Sequence, residues 1–164
     1  MKTEEGYYIR SAGVHMTNEE WGEYCRRTRE DFGARIRTTF GKYTFNENDV
    51  CLNPDVLTIG VKGNNFVYAR IKWCECGNGI WSYGIDYSTG SGGGGCGASY
   101  ADKLGDGYGC GYATEKEAKL KACEKVLQSI RGGFDRKNCE RLRQMVEDYM
   151  KTLQRPQVIQ LELF

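Results

Sequence analysis

The sequence predicts an α+β fold: an antiparallel meander of three or more strands packed against helices, followed by a C-terminal helical pair and an extended tail. Two patterns carry this expectation. Between Val56 and Tyr87 apolar and polar residues alternate across short glycine-containing turns, the period of half-buried strands. From Thr114 onward the apolar period lengthens to that of helices, in two stretches separated by Gly132-Gly133. A third observation sets the limit of the body: Pro156 cannot continue a helix and biases Arg155 toward extended backbone. A chain of 164 residues suits one domain, expected over residues 1–155, with a tail at 156–164.

The meander can be placed in register. Leu57, Ile59 and Val61 alternate in the first strand, Gly63-Asn64 is the expected turn, and Phe66 to Cys76 forms the second strand. Gly77-Asn78-Gly79 then leads into Ile80 to Tyr87. A three-residue loop with Gly79 left-handed pairs Trp73 with Tyr83, Ile71 with Ile85 and Ala69 with Tyr87, which makes one face wholly apolar. The opposite face pairs Arg70 with Asp86, Lys72 with Gly84 and Cys74 with Ser82. Two uses of that face compete: a solvated surface in which Arg70 and Asp86 neutralise each other, and a shallow platform where Phe66, Tyr68, Arg70 and Lys72, beside small Ser82 and Gly84, stack bases and hold phosphates.

The other elements follow from local signals. Residues 1–16 show no clear period and read as coil or a short strand. Asn18 offers a helix N-cap, and Trp21, Tyr24, Cys25, Thr28 and Phe32 recur at helical spacing to Gly33. Ile36, Phe40, Tyr43 and Phe45 suggest a strand pair turning near Gly41-Lys42, and Asn46 to Asp55 is rich in turn formers. Residues 88–111, which include Gly92-Gly93-Gly94-Gly95, are expected to form a mobile glycine-rich loop, either disordered or folding over a bound strand. Thr114 and Glu117 form a capping box for a helix whose apolar face carries Ala118, Ala122, Val126 and Ile130. A second helix, at about 135–154, presents Cys139, Leu142, Val146 and Leu153 as core.

Composition narrows the function. A formal net charge of +1 provides no global field toward nucleic acid or membrane, so such contacts need a local patch. Residues 114–143 offer one, with nine basic residues against five acidic. No segment approaches the ~20 apolar residues of a membrane span, and the N-terminus shows no signal-peptide pattern, so the expected location is the cytoplasm. In that setting the eight cysteines read as thiols. Cys74, Cys76, Cys96 and Cys110 form a series that zinc could use, but it lacks the close second pair that zinc sites show. Neither a P-loop nor a dinucleotide fingerprint is present, and no cofactor is expected. The single histidine, His15, has no neighbouring nucleophile or carboxylate cluster. Asp86, Asp102 and Asp106 are the one set of carboxylates that could serve a metal-dependent nuclease.

The last five residues are Gln160-Leu161-Glu162-Leu163-Phe164. They resemble the short peptide, roughly Gln-Leu-(Ser/Asp)-Leu-Phe, by which bacterial polymerases and repair proteins dock on the DNA polymerase III sliding clamp. The resemblance implies that the Gln160 amide makes polar contacts and that Leu161, Leu163 and Phe164 fill an apolar pocket. Alternation of Val158, Gln160 and Glu162 with Ile159, Leu161 and Leu163 equally fits a terminal half-buried strand. A second resemblance is to the double-stranded RNA-binding domain. The order helix, three strands, helix is similar, as is Thr114-Glu115-Lys116-Glu117-Ala118-Lys119 to that family's Ser-Lys-Lys-x-Ala-Lys, preceded by Gly109 and Gly111. It implies phosphate contacts for Lys116 and Lys119. Together these resemblances lead to the expectation of a non-enzymatic accessory protein of DNA replication or repair, with the sliding clamp and DNA or RNA as partners. A phage or plasmid inhibitor of the clamp and a clamp-recruited nuclease are the alternatives.

Overall fold

A computed structural model of the chain describes residues 2–3, 6–9, 13–27 and 36–155. The fold is α+β. In chain order the elements are β1 (Lys2–Thr3), β2 (Gly6–Ile9), β3 (Val14–Met16), α1 (Asn18–Arg27), β4 (Ile36–Phe40), β5 (Tyr43–Asn46), β6 (Asp55–Val61), β7 (Asn64–Glu75), β8 (Trp81–Thr89), β9 (Gly93–Cys96), β10 (Lys103–Leu104), β11 (Cys110–Gly111), α2 (Glu115–Ile130) and α3 (Arg136–Gln154). The central feature is a four-stranded antiparallel sheet in the order β6-β7-β8-β9.

Pairing of β7 with β8 follows the expected register from Ala69↔Tyr87 through Cys74↔Ser82, with Gly77 and Gly79 both at positive φ in the loop. Because side chains alternate, the inner face of the sheet carries Ile59, Val67, Ala69, Ile71 and Ile85. These form the main core with Ala122, Val126 and Ile130 of α2 and Leu142 and Val146 of α3. Thr114 caps α2 with the expected reciprocal box, and Asp135 caps α3 by accepting from the Asn138 amide. Asn138 also donates to the Thr89 carbonyl at 3.1 Å, tying the start of α3 to the end of β8. Cys123 and Cys139 lie buried on their helices, and burial pushes the Cys123 thiol up to about 12.

Several boundaries differ from expectation. The described residues among 1–16 form three short strands in the order β1-β2-β3, with Tyr7 stacked on Trp21 of α1 at 4.5 Å between centroids. Runs of two to four residues are too short to display a period. The N-cap of α1 is Thr17 rather than Asn18: Thr17 Oγ1 accepts from the Glu20 amide, and Glu20 accepts from the Thr17 amide. The continuation of α1 toward Phe32 lies outside the described residues. The β6–β7 turn is Lys62-Gly63, and Asn64 already pairs with Val61 across a register shift.

The largest difference concerns residues 88–111. Gly93–Cys96 is not a loop but edge strand β9, paired with Ile85–Ser88. Glycine permits this close approach, because a Cβ on Gly95 would lie 2.6 Å from the Ile85 carbonyl oxygen. Beyond β9, Ala98 and Ala101 enter a second core with Tyr43, Phe45, Cys51, Cys74 and Cys76. Here the β4–β5 hairpin, turning at Gly41-Lys42 as expected, covers one end of the outer sheet face.

The hairpin is fastened to β6 through Asp55. Lys42 Nζ donates to its carboxylate at 2.7 Å and Tyr43 Oη at 2.6 Å. These two donors hold the Asp55 carboxyl below the usual carboxylate range. Asp55→Ala is therefore expected to lower the unfolding free energy at pH 7 by about 1–2 kcal/mol, the lower part of the range for hydrogen bonds to a charged group because the site is partly exposed. The folded pKa is depressed, so the contribution is present above the unfolded value of about 4 and is lost as pH falls through the folded value. Urea unfolding of both proteins should show the difference shrinking below about pH 4.

Candidate nucleic-acid interface

The outer face of the sheet is built from β6, β7, β8 and β9 in continuous rows. One row reads Gly60, Tyr68, Ser88, Gly93, and the next reads Thr58, Arg70, Asp86, Gly95. A third begins Val56, Lys72, Gly84. Phe66 stands beyond Tyr68 on the same face and is 76% exposed. Its backbone N–H is taken by the Asn64 side chain at 3.0 Å. The Arg70 guanidinium lies 4.6 Å from the Tyr68 ring centroid and 3.3 Å from Asp86 Oδ2. Side-chain exposures of 45% and 31% make that ion pair a surface one, of small net stabilisation.

Part of the expected platform is covered. Ser82 and Gly84, expected to lie open beside the cations, are buried. A Cβ on Gly84 would meet the Ala98 nitrogen at 2.5 Å and the Cys96 oxygen at 2.7 Å, so the chain from β9 to Ala98 crosses directly over it. Cys74 on the same face belongs to the second core. The open region therefore runs from Phe66 to Lys72 and extends sideways over Gly60, Gly93 and Gly95, all exposed. The sequence alone does not point to these flanking glycines, because only the register across β6 and β9 brings Gly60 and Gly93 into the row of Tyr68 and Gly95 into that of Arg70.

The helical cations are divided. Lys116 is exposed on the first turn of α2. Lys119 faces the sheet: its Nζ sits 4.0 Å over the Trp73 ring and pairs with Glu115, leaving its side chain only 17% exposed. Neither is on the outer face with Tyr68, Arg70 and Lys72, because α2 packs on the inner face. Helices α2 and α3 cover the four-stranded sheet, while α1 packs on β2 and β3.

The remaining chemistry-bearing residues are dispersed. Asp86 engages Arg70, whereas Asp106 accepts from Tyr112 Oη at 2.9 Å and lies 3.7 Å from Lys121, in a cleft of about 700 Å³ between α2 and residues 106–112. Asp102 is exposed. Cys74 and Cys76 are buried with Cys51, Cys96 is exposed on β9, and Cys110 borders the cleft. Among the described residues no three His, Cys, Asp or Glu gather closely enough to hold a metal ion. No helix among them is long and apolar enough to cross a membrane.

At the far end of α3, Arg155 is exposed and extended, with φ −60° and ψ 135°. Its N–H still donates to the Lys151 carbonyl. The backbone thus leaves the helix immediately before Pro156, as the residue preceding a proline should. Gln160, Leu161, Leu163 and Phe164 lie outside the described residues. No protein-family model, curated protein or solved structure matches the chain.

Proposed function

We propose that this chain is an accessory protein of DNA replication or repair that docks on the DNA polymerase III sliding clamp through Gln160, Leu161, Leu163 and Phe164 and touches nucleic acid with its α+β body. The observation that carries the reading is the Gln-Leu-Glu-Leu-Phe sequence at residues 160–164. The geometry of Arg155, exposed and extended where α3 ends, is compatible with it. An extended peptide with alternating anchors suits insertion into a partner's groove. A clamp encircles DNA, so a peptide contact and a nucleic-acid contact on one assembly reinforce each other through effective concentration. Neither contact needs to be strong alone.

Occupation of the clamp to exclude polymerases is the second reading. It is favoured by the engagement of Lys119 by Glu115 and Trp73, which withdraws one of the two helical cations expected to reach phosphates. Titration of the full chain with purified clamp, followed by displacement with a free peptide of residues 156–164, tests the shared docking step. Absence of binding, or binding the peptide does not displace, contradicts it. Clamp-dependent DNA synthesis separates the two uses: an inhibitor suppresses processive synthesis and excess clamp relieves it, whereas an accessory factor leaves processivity unimpaired.

A further inference from the structure

The outer sheet face points to the kind of nucleic acid involved: we infer that it is a stacking platform for a single strand. This deepens the reading above and rests on it for the replication or repair setting, while the binding itself is independent of the clamp. Phe66 and Tyr68 are two residues apart on one face, which separates their ring attachment points by about 6.8 Å, twice the antiparallel rise. A run of unpaired bases can place successive rings on two such supports, whereas a duplex keeps its base faces stacked inside.

The surroundings fit flat ligands. Tyr68 is flanked across the sheet by Gly60 on β6 and by Ser88 and then Gly93 on β8 and β9. These small residues raise no wall beside the ring. Phe66, at 76% exposure, belongs to neither hydrophobic core, so its ring is available as a support. The Arg70 guanidinium above Tyr68 adds a planar cation, itself a surface on which a base can stack.

Charge complementarity selects a polyanion. Arg70 and Lys72 share the face with one acid, Asp86, and Lys62 is exposed in the turn that joins β6 to β7. The Arg70–Asp86 contact is an exposed pair, which a phosphate can displace at little cost. The reading of this patch is sequence-tolerant, because the backbone is held by charge and every base has a π-face.

The test uses the full chain with fluorescent oligo-dT and oligo-U of about 12 nucleotides and a duplex of equal length, a span within the usual site sizes. The expected result is tighter binding to one or both single strands than to the duplex; the stronger of dT and U distinguishes a DNA from an RNA target. Phe66→Ala and Tyr68→Ala should each weaken binding about fivefold or more, with unfolding midpoints confirming that both variants are folded. With three cations contributing, log affinity should fall against log salt with a slope of about −2, and Arg70→Gln with Lys72→Gln should bring it to about −1. Equal or tighter duplex binding, no oligonucleotide binding, or unchanged affinity in both ring variants overturns the inference. Leu163→Ala/Phe164→Ala, measured alongside, should bind oligonucleotides normally. Loss of clamp binding with retained oligonucleotide binding, or the reverse, shows which of the two contacts depends on which residues.

Discussion

Replacing Leu163 and Phe164 together by alanine is expected to weaken clamp binding by two orders of magnitude or more. A docking peptide of a few residues concentrates its energy in a small number of apolar anchors, and truncating each such anchor costs about 2 kcal/mol or more. At about 1.4 kcal/mol per tenfold, two anchors supply the stated loss. Gln160→Ala should cost less, roughly tenfold, because it removes polar contacts and leaves the apolar anchors in place. Calorimetry or surface-based binding with purified clamp reads these differences. The urea midpoint of the double variant should match that of the parent; a lowered midpoint would mean that the two side chains serve the protein's own core and would contradict the docking role.

The second large effect is on stability and concerns Gly84. Its missing side chain lets the backbone from Cys96 to Ala98 cross the sheet, and a Cβ there would meet backbone atoms at 2.5 Å and 2.7 Å. Backbone cannot rotate away as a side chain does, so Gly84→Ala should destabilise by about 2–3 kcal/mol, toward the upper end for overpacking. Gly60, on the same face of the same sheet, provides the contrast: the nearest atoms to an added Cβ are at 3.9 Å and 4.0 Å, an ordinary contact. Gly60→Ala should therefore be neutral or slightly stabilising. Denaturant unfolding of both variants separates a specific crossing at Gly84 from a general need for glycine in the sheet. Because Ala98 and Ala101 share a core with Phe45 and Cys74, loosening the crossing should also loosen the β4–β5 hairpin.

The legible part of the fold was the part specified by side-chain period. Alternation from Val56 to Tyr87, together with one loop of defined length, was sufficient to place Trp73 opposite Tyr83 and Arg70 opposite Asp86. The Thr114–Glu117 box fixed the start of α2 in the same local way. Strand β9 was illegible because its glycines carry no pattern: its pairing rests on backbone hydrogen bonding and on the absence of Cβ atoms that would strike β8. At Thr17 and Asn18 both residues are good caps, and the reciprocal contact with Glu20 decides between them.

The candidate site divides along the same line. Tyr68, Arg70 and Lys72 follow from strand parity, so their shared face was readable. Burial of Ser82 and Gly84 was not, since the covering segments, residues 43–51 and 96–101, flank the meander but carry no period that marks them as packing back over this face. Lys119 shows the limit for helices: the resemblance to the double-stranded RNA-binding domain implies phosphate contact for it, but packing of the helix on the sheet turns it over Trp73. Lys116, three residues earlier, remains exposed.

The central claim, that residues 156–164 carry the partner contact, is tested most directly by transplanting them onto an unrelated carrier protein and titrating the fusion with purified sliding clamp. The account predicts affinity within about threefold of the intact chain, because an extended peptide brings its anchors with it. A fusion that fails to bind a clamp the intact chain does bind would place the contact in the α+β body and contradict the account.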